Sequence, residues 1–515
     1  MTWQPEIDEL RRREELAKRM GGPDKVARQH QGGKLTVRER IEQLLDPGSF
    51  HEIGAIAGKA SYDEKGELTE FMPANFVMGR GKIEGRYVVV GGDDFTVRGG
   101  AMDAAIGSKQ VYAEQMANEL RLPIVRLIDG TGGGGSVKTM ETDGRTYVPY
   151  NQGWDWVIDN LAKVPTVALG LGSVAGLGSS RLVTSHYSLM VKGISQMFIA
   201  GPPLVARTGE VLTKEELGGA DIHVRAGAVD DVVDSEAEAF ARARRFLSFL
   251  PSSVYDLPPR GPVTDSADRR DEWLIGAIPR DRRKVYDMRK ILRALVDEGS
   301  LFELGRKFGG SAITALARLD GWPVAVLASD PYLYGGGWTA DTSMKVTRFI
   351  DLANTFHLPV VNLTDVPGFL IGSQAEQEGT IRHGARALAA LYQAEVPWCS
   401  VMVRRAFGVA GAAHLNHVRL HYRYAWPSGD WGSLPLEGGI EAAYRAELAA
   451  SADPDKLRKE IEEHLNQFRS PFRTAEAFLA EEIIDPRDTR RLLCEFANIA
   501  APLRKTGVVA TTFRP

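Results

Sequence analysis

The chain has 515 residues, 43% hydrophobic and 25% charged, with 63 basic against 67 acidic side chains. That length supports two to four globular domains, and a net charge of −4 gives no basic excess pointing to nucleic acid. Only Cys399 and Cys494 are present, which excludes a disulfide framework and a four-ligand zinc ribbon, and no run approaches 18 apolar residues, so no membrane span is expected.

The N-terminus, MTWQPEIDELRRREE, has no apolar signal segment, which points to the cytoplasm. Residues 6–30 are charged with few apolar anchors and read as a surface helix. In GKLTVRERIEQLLDPGSF, Thr36 and Glu39 have the spacing of a capping box, with Ile41, Leu44 and Leu45 on the inner face. Lys34, Arg38 and Arg40 are equally consistent with a phosphate contact and with a solvated basic face. FVMGRGKIEG and RYVVVGGDD read as two strands around a Gly85-Arg86 turn, and a helix follows from Ala104 to Leu120.

From Leu122 a pattern begins that occurs again in the second half. Leu122-Pro123 opens the strand PIVRLID, which ends in the glycine run from Asp129. Lys138 to Thr146 reads as a surface loop and Trp154 to Leu161 as a helix. Val164-Pro165 then opens TVALGLG, which leads to Ser173-Val-Ala-Gly-Leu-Gly178. A proline-, serine- and charge-rich linker from Pro251 separates this half from the next. The second half has a hairpin over Leu316 to Ala328 with an Asp320-Gly321 turn, matching the hairpin over Ile83 to Val90. Met344 to Phe356 is helical, with Val346, Phe349, Ile350 and Ala353 on one face.

Leu358 to Thr364 is a β-branched strand ending at Asp365-Val-Pro-Gly368, the helix from Ile381 follows, and Trp398 to Val403 is a second strand ending at Phe407-Gly-Val-Ala-Gly411. A parallel pair with a crossover helix is the economical reading. The glycine turn comes eleven residues after the second proline in both copies (Pro165 to Gly176, Pro397 to Gly408), at offsets of 236 and 232 residues between copies. That is a half-chain internal duplication. In the tail, Pro454 to Phe468 puts Leu457, Ile461, Leu465 and Phe468 on one helical stripe.

Several motifs carry no chemistry. Ser343-Met344-Lys345 has a Met-Lys pair like a biotin acceptor, but it falls at the start of a helix rather than on a hairpin turn. The glycine run after Asp129 has no Gly-Lys-Ser/Thr, and no Gly-x-Ser-x-Gly elbow or paired histidine metal motif occurs. Cys399 reads as a core residue and His383 as a hydrogen-bonded structural histidine. His414 and His417 are spaced i, i+3 after the second glycine turn and can reach a pocket. Catalysis then rests on backbone N–H donors in the two glycine turns.

GKLTVRERIEQLLDPGSF, VMGRGKIEGR, DDFTVRGGAM, TKEELGGADIH, TDVPGFLIGSQAEQEGTIRHGARAL, YAWPSG and IIDPRDTR together resemble the carboxyltransferase (β) subunit of biotin-dependent acyl-CoA carboxylases, of the propionyl-CoA carboxylase type. The resemblance implies an α/β fold of two tandem crotonase-like (ββα spiral) domains, 1–255 on the acyl-CoA side and 256–515 on the biotin side. It further implies a homohexamer and a partner biotin carboxylase/biotin carboxyl carrier (α) subunit that carries the biotin. No metal is expected in this chain. The reaction implied is carboxyl transfer from carboxybiotin to the α-carbon of an acyl-CoA through an enolate held in backbone oxyanion holes.

The resemblance places one hole at Gly176-Leu177, for the thioester enolate, and one at Val409-Ala410, for the biotin carbonyl. It places substrate contacts at Gly132, Gly133, Gly134, Ala175, Gly178, Trp338, Gly368, Phe369, Gly408 and Ala412. The chain departs from the family after Asp129, where an alanine and an arginine are lost to glycines. It departs again at Ala412, where the family has an acidic residue, and at Trp338-Thr339. These changes remove side-chain volume and predict an acyl group larger than propionyl, with Trp338 as a flat wall. A decarboxylase component running the same transfer backwards and a non-catalytic or biotin-independent paralogue are the competing readings.

Overall fold

The computed structural model describes residues 2–100, 106–130, 140–141, 144–146 and 148–515. The chain forms two compact units, Met1–Asp256 and Leu257–Arg514.

The first unit opens with two helices where the sequence reads as one, α1 (Gln4–Lys18) and α2 (Pro23–Gln31). The break is local: Met20 and Gly22 take positive φ, and Pro23 starts a new helix at its first position, where its missing N–H has no role. Helix α3 (Val37–Leu44) carries the capping box of Thr36 and Glu39 and buries Val37, Ile41 and Leu44. Strands β1 (His51–Glu52), β2 (Gly58–Tyr62), β3 (Leu68–Pro73), β4 (Phe76–Ile83) and β5 (Arg86–Asp93) follow. The β4–β5 turn is Glu84-Gly85 rather than Gly85-Arg86. Both turn residues have positive φ, as a two-residue hairpin needs, and Arg86 already belongs to β5.

Helix α4 (Gly107–Leu120) leads to β6 (Ile124–Ile128), α5 (Trp154–Lys163), β7 (Thr166–Gly170), β8 (Ser173–Ala175), α6 (Leu177–Val183), β9 (Tyr187–Val191), β10 (Gln196–Phe198), β11 (Asp231–Val233) and α7 (Glu236–Ser248). The main sheet runs β1-β4-β5-β6-β7-β9-β11, antiparallel as far as β5 and parallel beyond it. Strands β6 and β7 are buried at every position, as a parallel sheet covered on both faces requires. The expected loop over Lys138 to Thr146 falls largely outside the described residues.

The second unit has α8 (Met288–Leu295), β12 (Phe302–Leu304), β13 (Ala312–Leu319), β14 (Trp322–Ser329), α9 (Ala340–Thr355), β15 (Val360–Val366), α10 (Thr380–Gln393) and β16 (Trp398–Phe407). After these come α11 (Gly408–Ala412), β17 (Tyr422–Ala425), β18 (Asp430–Gly432), α12 (Pro454–Asn466), β19 (Glu482–Ile483) and α13 (Thr489–Ala500). Its sheet runs β12-β13-β14-β15-β16-β17-β19, with β18 alongside β16. β15 and β16 are parallel with α10 as crossover, the topology the spacing predicts. Lys345 lies within α9 with Nζ donating to Ala312 O, which agrees with its exclusion as a biotin carrier. On α12, Leu457, Ile461 and Leu465 are half-buried. Phe468 lies past the helix end and is exposed.

The duplication extends to individual hydrogen bonds. The offset of 236 maps β4 and β5 onto β13 and β14 residue for residue, and Glu84-Gly85 onto Asp320-Gly321, whose φ values agree (51° and 79° against 50° and 78°). Asp46 accepts from the Glu84 and Gly85 amides at 3.0 and 2.8 Å, and Asp297 accepts from the Asp320 and Gly321 amides at 3.1 and 2.8 Å. The pair Arg38–Glu52 recurs as Arg289–Glu303. Gly100 packs its α-carbon against Asp129 O and Gly336 against Asp365 O, so a β-carbon at either would meet that oxygen at 2.8 and 2.3 Å.

Candidate active site

Each unit presents one strand–glycine turn–helix segment. In the first, β8 delivers Gly176 at φ 60°, and α6 starts at Leu177. Gly176 is exposed, while Ala175, Leu177 and Gly178 are half-buried. In the second, β16 ends at Phe407, Gly408 takes φ 60°, and α11 carries Val409 and Ala410 in its first turn. First-turn amides have no acceptor within their own helix, so these N–H groups are free for another oxygen. Val409 is 53% exposed and Ala410 only 1%, so the side chain at 410 packs inward. Gly176 N–H donates to Phe198 O at 3.3 Å, a long bond, which leaves the Leu177 amide as the less committed donor of its pair.

The second turn is held from behind. His414 Nδ1 donates to Gly411 O at 2.9 Å, and its own carbonyl accepts from Trp398 Nε1 (2.9 Å) and Asn362 Nδ2 (3.1 Å). Burial lowers its pKa to about 4, with Arg423 and His417 adding to the effect, so the ring is neutral near pH 7. A neutral imidazole with its Nδ1 proton committed to a carbonyl supports the turn and is no proton donor to substrate. His417 bonds Ala412 O and is not part of the cavity beneath Ala410.

That cavity, about 10 Å³, is bounded by Ala410, His414, Trp338, Thr364, Asn362 and Ser329 among others. Trp338 is 4% exposed and meets Phe369 edge-on at 6.2 Å, with Trp338 N–H donating to Gly368 O. Trp338 is thus turned inward behind Ala410, as one wall of that cavity. Ala412 is exposed. Gly132, Gly133 and Gly134 lie outside the described residues. The Nδ1 of His383 is buried with no partner among the described residues, so the expected structural hydrogen bond is not made there. Cys399 is fully buried in β16 and burial pushes its thiol well up, which leaves it inert.

What sequence reasoning missed is the pair of buried aspartates at the strand ends. Asp129 and Asp365 are 236 residues apart, both fully buried, each at the C-terminal end of the first strand of its parallel pair, β6 with β7 and β15 with β16. The Asp129 amide donates to Asp93 Oδ2 and the Asp365 amide to Ser329 Oγ, both at 3.1 Å. Their cations differ in origin. Asp129 accepts from Lys34 Nζ at 3.0 Å and Arg40 Nη1 at 2.9 Å, both from the N-terminal segment. Asp365 accepts from Arg404 Nη2 at 2.9 Å and Arg405 Nε at 2.7 Å on β16 itself, and from Tyr286 Oη at 2.9 Å. Burial alone raises the Asp365 carboxyl, but Arg405 and Arg404 outweigh it and hold it below the usual range.

The two solutions are complementary. Arg404 corresponds to Gly172, and Ile291 to Arg40 at the offset that carries Asp46 onto Asp297. A β-carbon at Gly172 would fall 1.9 Å from Asp129 Oδ1, so glycine there makes room for the carboxylate that Arg40 reaches from another element. Both sequence readings of Lys34, Arg38 and Arg40 are thereby corrected: all three are tied up in internal ion pairs, Arg38 with Glu52. The 236-residue offset applied to Asp129 would have found its counterpart.

Residues 28–508 match the carboxyl transferase domain. The chain belongs to the carboxyl transferase family. It is 33% identical over 510 residues to the propionyl-CoA carboxylase carboxyltransferase subunit of Haloferax mediterranei, covering 98% of each chain. It is 32% identical to the methylmalonyl-CoA decarboxylase subunit alpha of Veillonella parvula, over 95% of this chain and 94% of that one. Among solved structures, the transcarboxylase 12S crystal structure, a hexamer with methylmalonyl-coenzyme A and methylmalonic acid bound, superposes with a TM-score of 0.88 at 31% identity and 98% coverage of both chains. The carboxyltransferase is thus built on the two tandem crotonase-like units that the motifs implied. Among the described residues no helix is long and apolar enough to cross a membrane, and no three His, Cys, Asp or Glu side chains form a metal site.

Proposed function

We propose that the chain moves a carboxyl group between biotin, borne by a separate biotin carboxylase/carboxyl carrier subunit, and the α-carbon of an acyl-CoA. Residues 1–255 take the acyl-CoA and 256–515 the biotin. The observation that carries this reading is the repeated turn: Gly176 and Gly408 share φ 60° and each feeds a short helix, whose first amides have no acceptor within that helix. Two oxygens that gain charge in one reaction need two sets of preorganised donors. The Leu177 amide, with Gly176 exchanging its long bond to Phe198 O for a stronger charge-assisted one, holds the thioester oxygen as the enolate forms. The amides of Val409 and Ala410 fit a ureido carbonyl, since the neighbouring side chain at Ala412 is an exposed methyl that leaves the approach open. Carboxybiotin supplies the carboxyl group when bound.

The working assembly is a homohexamer, a reading supported by the hexameric transcarboxylase neighbour, and its place is the cytoplasm. The exposed methyl at 412 favours an acyl group larger than propionyl. The decarboxylase relative supports a second reading, in which the same transfer runs in the opposite direction.

The test is Ala410→Pro, which removes one donor from a first-turn position where proline breaks no intrahelical bond. Transfer should fall about 100- to 1,000-fold with acyl-CoA binding kept, while Val409→Ala, which keeps its amide, stays near wild type. Unchanged turnover in a folded Ala410→Pro variant would refute the biotin-side hole.

A further inference from the structure

The second unit holds a cleft of about 450 Å³ whose lining includes none of the residues of the Gly408 turn. Five arginines line it: Arg280, Arg282, Arg404, Arg405 and Arg469. Asp430 is the lone carboxylate among the lining residues. Asp430 is shared, accepting from Arg282 Nη1 at 2.7 Å and from Arg469 Nη2 at 2.6 Å. Arg404 and Arg405 share Asp365 in the same way. Each carboxylate thus neutralises one guanidinium of two, and Arg280, which is exposed and has no ion-pair partner among the described residues, adds another charge. Five guanidiniums against two carboxylates leave three positive charges around one cavity.

That imbalance is not a solvated surface effect. Arg404 and Arg469 have side chains 4% and 13% exposed, so their fields act across low-dielectric walls, which focus potential into a cleft. Arginine stays charged at any working pH, so the excess cannot be relieved by deprotonation. The walls are preformed: Pro279, Pro427, Pro471 and Pro486 fix their own backbone, and the floor includes the fully buried Trp426. Arg404 Nη1 also donates to Lys284 O at 2.8 Å, pinning the segment that carries Arg280 and Arg282 to the cleft.

We propose that this cleft binds a phosphate-bearing small molecule of two or more negative charges. Its volume lies within the range of small-molecule sites, and guanidinium forks match phosphate oxygens in pairs. Two sources share that chemistry, the phosphates of the acyl-CoA itself and a free phosphorylated metabolite.

The full-length protein is titrated with inorganic pyrophosphate by calorimetry at about 0.15 M salt, where surface charge is screened over roughly 8 Å. Saturable binding is expected in the wild type. In Arg280→Ala and Arg282→Ala it should weaken about tenfold or more each, the equivalent of one charge-assisted hydrogen bond. Arg280 is exposed and unpaired, so its variant tests the site without risk to the fold. Competition by CoA would assign the site to the substrate's phosphates, and pyrophosphate binding indifferent to CoA would assign it to a free metabolite. Either result upholds the cleft as a phosphate site. No saturable pyrophosphate binding, or equal affinity in the wild type and both variants, overturns the proposal.

Discussion

Arg40→Met tests whether the two buried aspartates are held by different means. The Arg40 guanidinium is 1% exposed and donates to Asp129 Oδ2 at 2.9 Å, to Glu236 at 2.7 and 3.1 Å, and to Leu171 O at 2.8 Å. Methionine keeps the bulk and removes every donor. Breaking a buried pair by deleting one partner costs about 3–5 kcal/mol, because the remaining charge is left uncompensated. Asp129 keeps Lys34 and Gln29, so the damage concentrates on Glu236. Arg404→Met is the matched control. It leaves Asp365 with Arg405 and Tyr286, and the cost should be smaller, about 1–3 kcal/mol. For a unit of this size each kcal/mol shifts the midpoint by about 2–4 °C, so Arg40→Met should lower the transition of the first unit by roughly 6–20 °C. Thermal unfolding followed by tryptophan fluorescence measures both. Adding Glu236→Gln to Arg40→Met should return part of the loss, since the uncompensated charge is then gone. A midpoint for Arg40→Met within 2 °C or so of wild type, or a larger loss for Arg404→Met, would refute the reasoning.

Three further outcomes are expected. Gly172→Ala puts a methyl 1.9 Å from Asp129 Oδ1 and should destabilise by about 1–3 kcal/mol through overpacking. Gly176→Ala meets nothing within 4 Å, but it must hold φ 60° and ψ −121°, which residues with a β-carbon rarely adopt, and should cost about 1–3 kcal/mol through backbone strain alone; an unchanged denaturant midpoint in either variant would contradict the reasoning. The Asp351 carboxyl is raised from an ordinary 3.8 to about 6 by burial, only partly offset by Arg514 and Arg386. The folded state therefore holds its proton where the unfolded state has lost it, and stability falls as pH rises from about 4 to 6. Asp351→Asn should add up to about 3 kcal/mol above pH 6 and nothing below pH 4, and a gain independent of pH would show that burial of charge is not the cause. Finally, kcat/KM across acetyl-, propionyl-, branched and aryl-acyl-CoA should favour the bulkier groups, and Ala412→Asp should shift the ranking toward propionyl; a clear preference for acetyl- or propionyl-CoA sinks the larger-pocket expectation.

The sequence alone determined the duplication, the parallel strand pairs with their crossover helices, and the two glycine turns. These features are local. A strand bounded by proline and glycine, a capping box at Thr36 and Glu39, or a helix with one apolar face is written in adjacent residues, and the motifs that carry the family resemblance are themselves contiguous. The single surface helix failed at Gly21-Gly22-Pro23, a break that is legible in the sequence and was passed over because the charged pattern continues on both sides of it. The hairpin turn was misplaced by one residue because Gly85 was read as the first turn position, whereas positive φ already begins at Glu84.

Only the tertiary structure decided what the charged residues do. Lys34 and Arg40 read as surface in a helix-cap segment, yet they end at Asp129, 95 and 89 residues away, because a buried carboxylate must find a cation wherever the fold offers one. The same requirement is met at Asp365 from β16, so identical needs in the two halves leave different residues in the sequence, Arg40 with Gly172 in one and Ile291 with Arg404 in the other. Trp338 likewise gives no sign in sequence of whether it faces a cleft or a core. Packing placed it behind Ala410, where it is 4% exposed and edge-on to Phe369.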